Sequence, residues 1–149
     1  MSEENKIIES RLYPKILIRA SEMGSRLFRN QVGTGYHGRE VIWATQTRHI
    51  TLSPGDVVIR GARRFHCGMC SGSSDLIGIT PVVLPPSEKP RTVGIFTACE
   101  VKTTARSNLG SGQANFIHAI NSLGGMGFKA ISADDFETKL TQLRQSITG

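Results

Sequence analysis

Two acids and a lysine between positions 75 and 102 have the types and spacing to do chemistry. Asp75 stands at the head of one apolar run, and Glu100 and Lys102 lie near the end of the next. Side chains alternate between the two faces of a β-strand, so Glu100 and Lys102 share a face while Val101 points to the other. An acid and an amine held side by side, with a second acid on a neighbouring strand, could hold a divalent cation beside a hydrolytic centre.

Phosphodiester hydrolysis is a reaction that these residues suit. It requires an activated nucleophile and stabilisation of the charge that builds on the phosphate, and a metal held by carboxylates provides both. Mg²⁺ prefers oxygen ligands and keeps several waters, so Asp75, Glu100 and the backbone carbonyl of Val101 would be sufficient protein ligands. Lys102 would orient or deprotonate the attacking water, or stabilise the developing charge. The alternative is a surface aspartate and a Glu100–Lys102 ion pair of little energetic value.

Length and composition predict one soluble domain, 1–149, large enough to bury a core. The net charge of +6 favours polyanionic partners, because each neutralised phosphate releases counterions. The polar N-terminus lacks the apolar segment of a secretory signal, and no apolar run approaches the roughly 20 residues of a membrane span. Three cysteines without framework spacing fit a reducing compartment. We therefore expect a cytoplasmic protein without membrane association.

Hydrophobic periodicity predicts the elements that position the candidate residues. Residues 5–23 predict a helix that Pro14 either kinks or divides into two, and Gly24 is a natural stop. Leu76–Leu84 predicts a strand that bends, bulges or faces an edge at Pro81, because proline has no N–H for the ladder. The remaining pattern predicts a strand at Arg26–Asn30, a strand at Val93–Val101 with both faces buried, a helix capped by Asn108 and ended by Gly124-Gly125, a strand at Phe128–Ser132, and a terminal helix beginning at Asp134 and Asp135.

The segment 38–69 predicts a basic insertion rich in β-structure. Val41–Ala44 and Asp56–Ile59 have the pattern of short strands, and Ser53–Asp56 has that of a turn. Five arginines lie within 26 residues, namely Arg39, Arg48, Arg60, Arg63 and Arg64. Guanidinium groups match phosphate geometry bidentately, so these arginines predict nucleic-acid contacts, to which we add Arg29. The alternative is a solvated hairpin that happens to be basic.

Two further motifs predict ordinary structure. The glycine-rich segment Val32–Gly38 lacks the lysine and the Ser/Thr of a P-loop, which favours a surface loop. Cys67 and Cys70 have the spacing of half a zinc site, but Cys99 is the one remaining cysteine and falls in a predicted strand. We interpret the three cysteines as free thiols.

The chain resembles the restriction-endonuclease-like nucleases, and within them the virus-type replication-repair nuclease (VRR-NUC) branch. Asp75 followed by Glu100-Val101-Lys102 is similar to the Asp…Glu-x-Lys signature of that superfamily. The features similar to the branch are Gly72–Gly78 around the first acid, Gln113 followed by Phe116 and Ile120, Gly124–Phe128 before the last strand, and Leu27–Gly33 upstream. The resemblance covers about residues 7–135 and implies a central mixed β-sheet flanked by helices.

The resemblance also implies an activity. It implies a Mg²⁺- or Mn²⁺-dependent endonuclease that acts on DNA, with the metal at Asp75 and Glu100 and with Gln113 facing the site. An acid of the first helix would complete the site, and Glu9 fits that place best, with Glu22 and Glu4 as alternatives. Stand-alone members of the branch come from phages and look like homodimers that cut branched DNA such as four-way junctions, and the resemblance implies the same for this chain. The competing expectations are a non-catalytic nucleic-acid-binding module, and a nicking accessory subunit of a phage replication or packaging complex.

Overall fold

A computed structural model describes residues 3–34, 44–59, 66–85 and 89–148. Its helices are α1 (Glu3–Glu22), α2 (Ser111–Ser122) and α3 (Ala133–Thr148). Its strands are β1 (Arg26–Arg29), β2 (Gly33–Thr34), β3 (His66–Cys67), β4 (Leu76–Leu84), β5 (Arg91–Val101) and β6 (Met126–Ala130). Among these helices, none combines the length and the apolar character needed to cross a membrane.

Four strands form a mixed sheet in the order β1-β4-β5-β6. The pairs β1–β4 and β4–β5 are antiparallel, and β5–β6 is parallel. Parallel neighbours require a crossover connection, and α2 provides it between β5 and β6. The fold is therefore α/β with a central mixed sheet flanked by helices, as the sequence predicted at this level.

The helices lie on opposite faces of the sheet. Helices α1 and α3 pack against each other and cover one face, while α2 packs on the other face against β5 and β6. The core lies under α1 and α3, and its fully buried side chains include Ile16, Leu76, Val101, Phe136 and Leu140. Because strand residues alternate, the residues between these core positions point to the α2 face, which is the face that matters for the site.

Both helices predicted to end at a glycine do so by the same hydrogen bonds. Gly24 and Gly124 have φ angles of +77° and +83°, the left-handed conformation in which glycine has no Cβ penalty. The N–H of Ser25 donates to the Ala20 carbonyl at 2.8 Å, and the N–H of Gly125 donates to the Ile120 carbonyl at 2.8 Å. This is the Schellman arrangement, and it confirms the two predicted helix ends.

The strand predicted at Leu76–Leu84 is confirmed with the same bounds. Pro81 pairs with Gly94 of β5, while the pairing with β1 stops at Ile79. Pro81 therefore lies in the half of β4 that has a described neighbour on one side only, which is the predicted edge position. Strand β5 begins two residues earlier than predicted, and from Thr97 onward its residues are buried on both faces.

Helix α1 runs unbroken through Pro14, so of the two predicted alternatives the division into two helices is excluded. Three sequence-based expectations are corrected. The residue before α2 is Gly110 rather than Asn108, because the Gln113 side chain already accepts the Gly110 N–H at 2.9 Å. Strand β6 begins two residues earlier than predicted, at Met126.

The third correction concerns the insertion. Asp56–Ile59 forms no strand, and Val57 is 84% exposed, because no neighbouring strand pairs with this segment within the described residues. The predicted turn is present, with the Asp56 N–H donating to the Ser53 carbonyl at 3.0 Å. The β-structure that brackets the segment is the two-residue antiparallel ladder of β2 and β3. Val41–Trp43 lie outside the described residues.

Candidate active site

The sheet register places the two predicted metal ligands opposite each other. Leu76 pairs with Cys99, so one position further along the antiparallel register Asp75 stands opposite Glu100. Directly opposed residues have Cβ atoms about 4.5–5.5 Å apart, and both side chains point to the α2 face. Asp75 Oδ2 also accepts a 2.9 Å hydrogen bond from the Val101 N–H. The start of β4 is thereby fastened to the end of β5 by a carboxylate.

The backbone of Val101 faces Asp75. The N–H of the next residue, Lys102, donates to the Ala130 carbonyl of β6 at 2.9 Å, so the Lys102 amide points toward β6. Amides alternate in direction along a strand, and the N–H and C=O of one residue point to the same side. The Val101 carbonyl therefore points to the side on which Asp75 lies, as required of the predicted third oxygen ligand.

Glu100 is the centre of a cluster of polar side chains although it is only 1% exposed. Its Oε1 atom accepts a 2.9 Å hydrogen bond from Lys102 Nζ and a second hydrogen bond from Gln113 Nε2. Its Oε2 atom is buried and accepts no hydrogen bond from the described residues. A buried carboxylate oxygen without a donor is costly, and a bound cation is a group that would offset this cost.

This environment raises the pKa of the Glu100 carboxyl to about 7. The main cause is desolvation by burial, which disfavours the charged form. The hydrogen bond from Lys102 acts in the opposite direction, and the nearby Asp75 carboxylate raises the pKa further. Glu100 therefore changes its charge within the neutral pH range, which is the range in which perturbed carboxyl groups take part in acid–base chemistry and metal binding.

Asn30 holds the loop that carries Asp75. Its backbone N–H donates to the Asp75 carbonyl at 2.8 Å. Its side-chain Nδ2 donates to Ser73 Oγ at 2.7 Å and to the Ser74 carbonyl at 3.0 Å. Its Oδ1 accepts from the Met69 N–H at 3.0 Å. One asparagine at the end of β1 thus fixes residues 69–75 against the sheet.

A contact between two glycines joins the Asp75 loop to α2. Gly72 has a φ angle of +84°, and a Cβ atom added there would lie 2.7 Å from the carbonyl carbon of Gly112. Only backbones without side chains can approach so closely. Because Gly112 is adjacent to Gln113, this contact brings the helix that supplies Gln113 to the loop that supplies Asp75.

The oxygen atoms at this site fit a hard divalent cation. Asp75, Glu100 and the Val101 carbonyl are oxygen donors on one side of β5, and hard cations prefer oxygen donors. The buried Oε2 of Glu100 is a possible metal-ligand oxygen that accepts no hydrogen bond from the described residues. Within the described part of the chain no group of three or more His, Cys, Asp or Glu residues is placed to hold a metal. The protein would therefore supply two carboxylates and a carbonyl, leaving other positions to water or substrate.

The other predicted site residues lie elsewhere or outside the described part. Glu9 belongs to α1, but its side chain lies outside the described residues. Arg29 is exposed on the α1 face, where its guanidinium carbon lies 4.3 Å from the centre of the Tyr13 ring. Arg48 is exposed. Outside the described residues lie Arg39, Arg60, Arg63 and Arg64.

Sequence reasoning missed the positioning roles of Asn30 and Gly72. Both occur in the segments that resemble the nuclease branch, but neither was assigned a role. An asparagine directly after a short strand was a usable signal, because asparagine side chains bond readily to nearby backbone. The Gly72–Gly112 approach joins residues 40 positions apart in the sequence, and no local pattern predicts it.

Comparison with known proteins gave no match among family models, curated proteins or solved structures.

Proposed function

We propose that this protein is a metal-dependent endonuclease that hydrolyses DNA phosphodiester bonds. The observation that carries the proposal is Glu100, a buried carboxylate opposite Asp75. One of its oxygens accepts hydrogen bonds from Lys102 and Gln113, and the other accepts none from the described residues. A residue that only stabilised the fold would not leave a buried charge half satisfied, because this costs stability. A cation-binding role accounts for the arrangement.

The element order supports a restriction-endonuclease-like core. A helix, antiparallel strands, a crossover helix and a parallel strand follow one another, and the acids lie where β4 begins and β5 ends. The Asp…Glu-x-Lys residues, which are 25 and 2 positions apart, converge on one face of the sheet. Convergence of residues selected for their chemistry is stronger support than the sequence pattern alone.

Each residue of the cluster has a role in the proposed mechanism. Asp75, Glu100 and the Val101 carbonyl would hold Mg²⁺ or Mn²⁺, which supplies Lewis-acid stabilisation and an activated water when bound. Lys102 holds Glu100 in place and presents an ammonium group to the charge that develops on the phosphate. Gln113 donates to Glu100 while its own oxygen accepts from Gly110, so it fixes the carboxylate relative to α2.

Branched DNA as the substrate, a homodimeric state and a phage or prophage origin are parts of the same proposal. They follow from the resemblance to the nuclease branch. The net charge of +6 supports a polyanionic substrate. The non-catalytic binding module accounts for the charge equally well, but it gives no reason to bury Glu100.

Cleavage of a DNA panel tests the proposal. Purified protein is incubated with linear, flapped and four-way DNA, with and without Mn²⁺. We expect cutting that requires the metal and is lost, by at least about 100-fold, in Asp75→Ala, Glu100→Gln and Lys102→Ala. Asp134→Asn is the matched control, because Asp134 is an acid whose side chain is 88% exposed on α3, away from the site.

Two outcomes would count against the proposal. If the three site variants cut like the parent, the site assignment is wrong. If the parent binds DNA but never cuts it, with or without Mn²⁺, the binding module is the better description.

A further inference from the structure

The described acidic side chains of this protein are distributed unevenly between the two faces of the sheet. Between Glu100 and Asp134 there are 33 consecutive residues without an acid, and they include α2 and the loop before it. The described acidic side chains of the helices lie instead on α1 and α3, on the other face, namely Glu22, Asp134, Asp135 and Glu137. On the α2 face the described carboxylates of the sheet and of α2 are those of Asp75 and Glu100 alone.

The loop between β5 and α2 presents an arginine beside the candidate site. The Ser107 N–H donates to the Thr104 carbonyl at 3.2 Å, and the hydroxyls of the same two residues are 2.9 Å apart. These bonds close a turn with Arg106 exposed at its tip. Among the described ion pairs, none involves Arg106, so its guanidinium is available to an external anion.

A lysine from the sheet fixes this turn from below. Lys129 Nζ donates to the Ala105 carbonyl at 3.0 Å and to the Ser107 carbonyl at 2.9 Å. Lys129 is also the register partner of Glu100 on the neighbouring strand. The turn that carries Arg106 is therefore held within one lysine side chain of the strand position next to Glu100.

We infer that Arg106 and the outer surface of α2 bind the phosphate backbone of the DNA that enters the candidate site. The exposed polar side chains of α2 are hydrogen-bonding groups that include no carboxylate, among them Ser111, Asn115, His118 and Ser122. A surface with one free guanidinium, hydrogen-bonding groups and no carboxylate suits a polyanion, because nothing on it repels phosphate. The inference deepens the proposed function by naming a contact surface other than the arginine-rich insertion.

Binding measured without divalent metal tests this surface independently of cleavage. The probes are a fluorescein-labelled 30-base-pair duplex and a labelled four-way junction, titrated in EDTA at several salt concentrations. We expect Arg106→Ala to weaken binding about tenfold near 0.1 M salt, and to reduce the slope of log affinity against log salt by about 0.7–0.9. Arg106→Lys should recover part of the affinity, since it restores the charge.

Two matched controls separate this surface from a general loss of charge. Arg91 is exposed at the start of β5, about 30 Å along the strand from the site, so Arg91→Ala should bind like the parent. Asn115→Glu places a carboxylate on α2 and should weaken binding, whereas Gln145→Glu places one on α3 and should not. Thermal melting checks that all variants are folded.

The results distinguish this inference from the proposed function. If Arg106→Ala and Asn115→Glu bind like the parent, or if each control weakens binding as much as its counterpart, the surface is wrong. A parent that binds neither probe also overturns it. If the binding pattern holds but the parent never cuts DNA, the surface stands and the endonuclease proposal falls. If the parent cuts and Arg106→Ala changes neither binding nor cutting, the endonuclease proposal stands and the proposed surface is wrong.

Discussion

Glu100 is the residue whose burial destabilises the metal-free fold and whose carboxylate would bind the proposed metal. Its carboxyl is buried, faces a second carboxylate and has one oxygen without a donor. These features raise its pKa to about 7, chiefly through desolvation. The charged form that a metal requires is thus the form that the metal-free fold tolerates least. Metal binding and proton release at Glu100 are consequently expected to be coupled.

This raised pKa predicts that stability depends on pH. Glu100 holds its proton in the folded state up to about pH 7, whereas in the unfolded chain it loses the proton near its ordinary value of 4.5. The folded state therefore binds more protons between these values, and stability falls as pH rises from about 5 to about 8. In EDTA, Glu100→Gln should remove most of this fall and be more stable than the parent at pH 8, by up to about 3 kcal/mol.

Urea unfolding at a series of pH values measures this effect. Asp134→Asn, which changes an exposed acid, should keep the slope of the parent. A parent whose stability is flat or rises between pH 5 and 8, with no change in Glu100→Gln, would contradict the buried, proton-binding Glu100.

The same pKa predicts how metal affinity changes with pH. A cation competes with the proton on Glu100, so the Mn²⁺ affinity of the parent should rise about tenfold for each pH unit below 7 and level off above it. Electron paramagnetic resonance of free Mn²⁺ measures this without DNA. Glu100→Gln should bind Mn²⁺ weakly at every pH. An affinity that does not change between pH 5.5 and 8 would mean that Glu100 is not a ligand.

At the scale of the elements, the site is assembled by three contacts between separate segments. Asp75 bonds the Val101 amide and joins β4 to β5. Asn30 fixes the Asp75 loop to the end of β1, and the Gly72–Gly112 contact brings that loop against α2. The position of Gln113 relative to Asp75 is therefore set by a backbone contact that a side chain at Gly72 would displace.

Substitution of Gly72 should separate activity from stability. Gly72→Ala adds a Cβ atom 2.7 Å from a Gly112 backbone carbon and forces alanine into a positive φ, so the loop must move away from α2. We expect Mn²⁺-dependent cutting to fall more than tenfold, since small displacements of reacting groups are costly. Gly24→Ala is the control, because Gly24 has a similar φ of +77° and nothing within 4 Å of the added atom.

Thermal melting and cleavage are measured together for both glycine variants. Each should lose about 1–2 kcal/mol through the strained φ, while only Gly72→Ala should lose cutting. Equal cleavage by the two variants would mean that the glycine contact does not position the site.

The whole molecule has one sheet face that its helices cover only in part. Helix α2 covers the β5–β6 side of this face, whereas β1 and β4 leave Phe28, Ile79 and Val83 between 56% and 61% exposed. Apolar side chains grouped on one exposed face are typical of interaction surfaces. In the proposed homodimer, this strip is where a second copy would pack.

Mass measurement in solution tests that arrangement. The parent should be a dimer, and Ile79→Lys should be a monomer, because a charge in the strip opposes its burial. Ile18→Lys is the control, since Ile18 is 60% exposed but lies on α1. A monomeric parent at all concentrations would contradict the dimer. A dimer that survives Ile79→Lys would place the interface elsewhere.

The sequence by itself determined the local elements and the chemistry that the residues can do. A continuous apolar run gave β4 its bounds, glycines marked two helix ends, and the types of Asp75, Glu100 and Lys102 pointed to metal-assisted hydrolysis. These features depend on neighbours in the chain. Asn108 was misassigned because the Gln113 side chain accepts the N–H of Gly110, which becomes the cap instead. Asp56–Ile59 was misassigned because described residues 44–59 have no pairing strand. Both outcomes are decided outside the local sequence pattern.

Only the tertiary structure decided how the site is held. The register of β4 against β5 put Asp75 opposite Glu100, and burial left one oxygen of Glu100 without a donor. The packing of α2 on one face, opposite the described acids of α1 and α3, was also decided only by the folding of the chain over the sheet. Register, burial and opposed faces depend on contacts between residues far apart in the sequence, which periodicity and residue type do not encode.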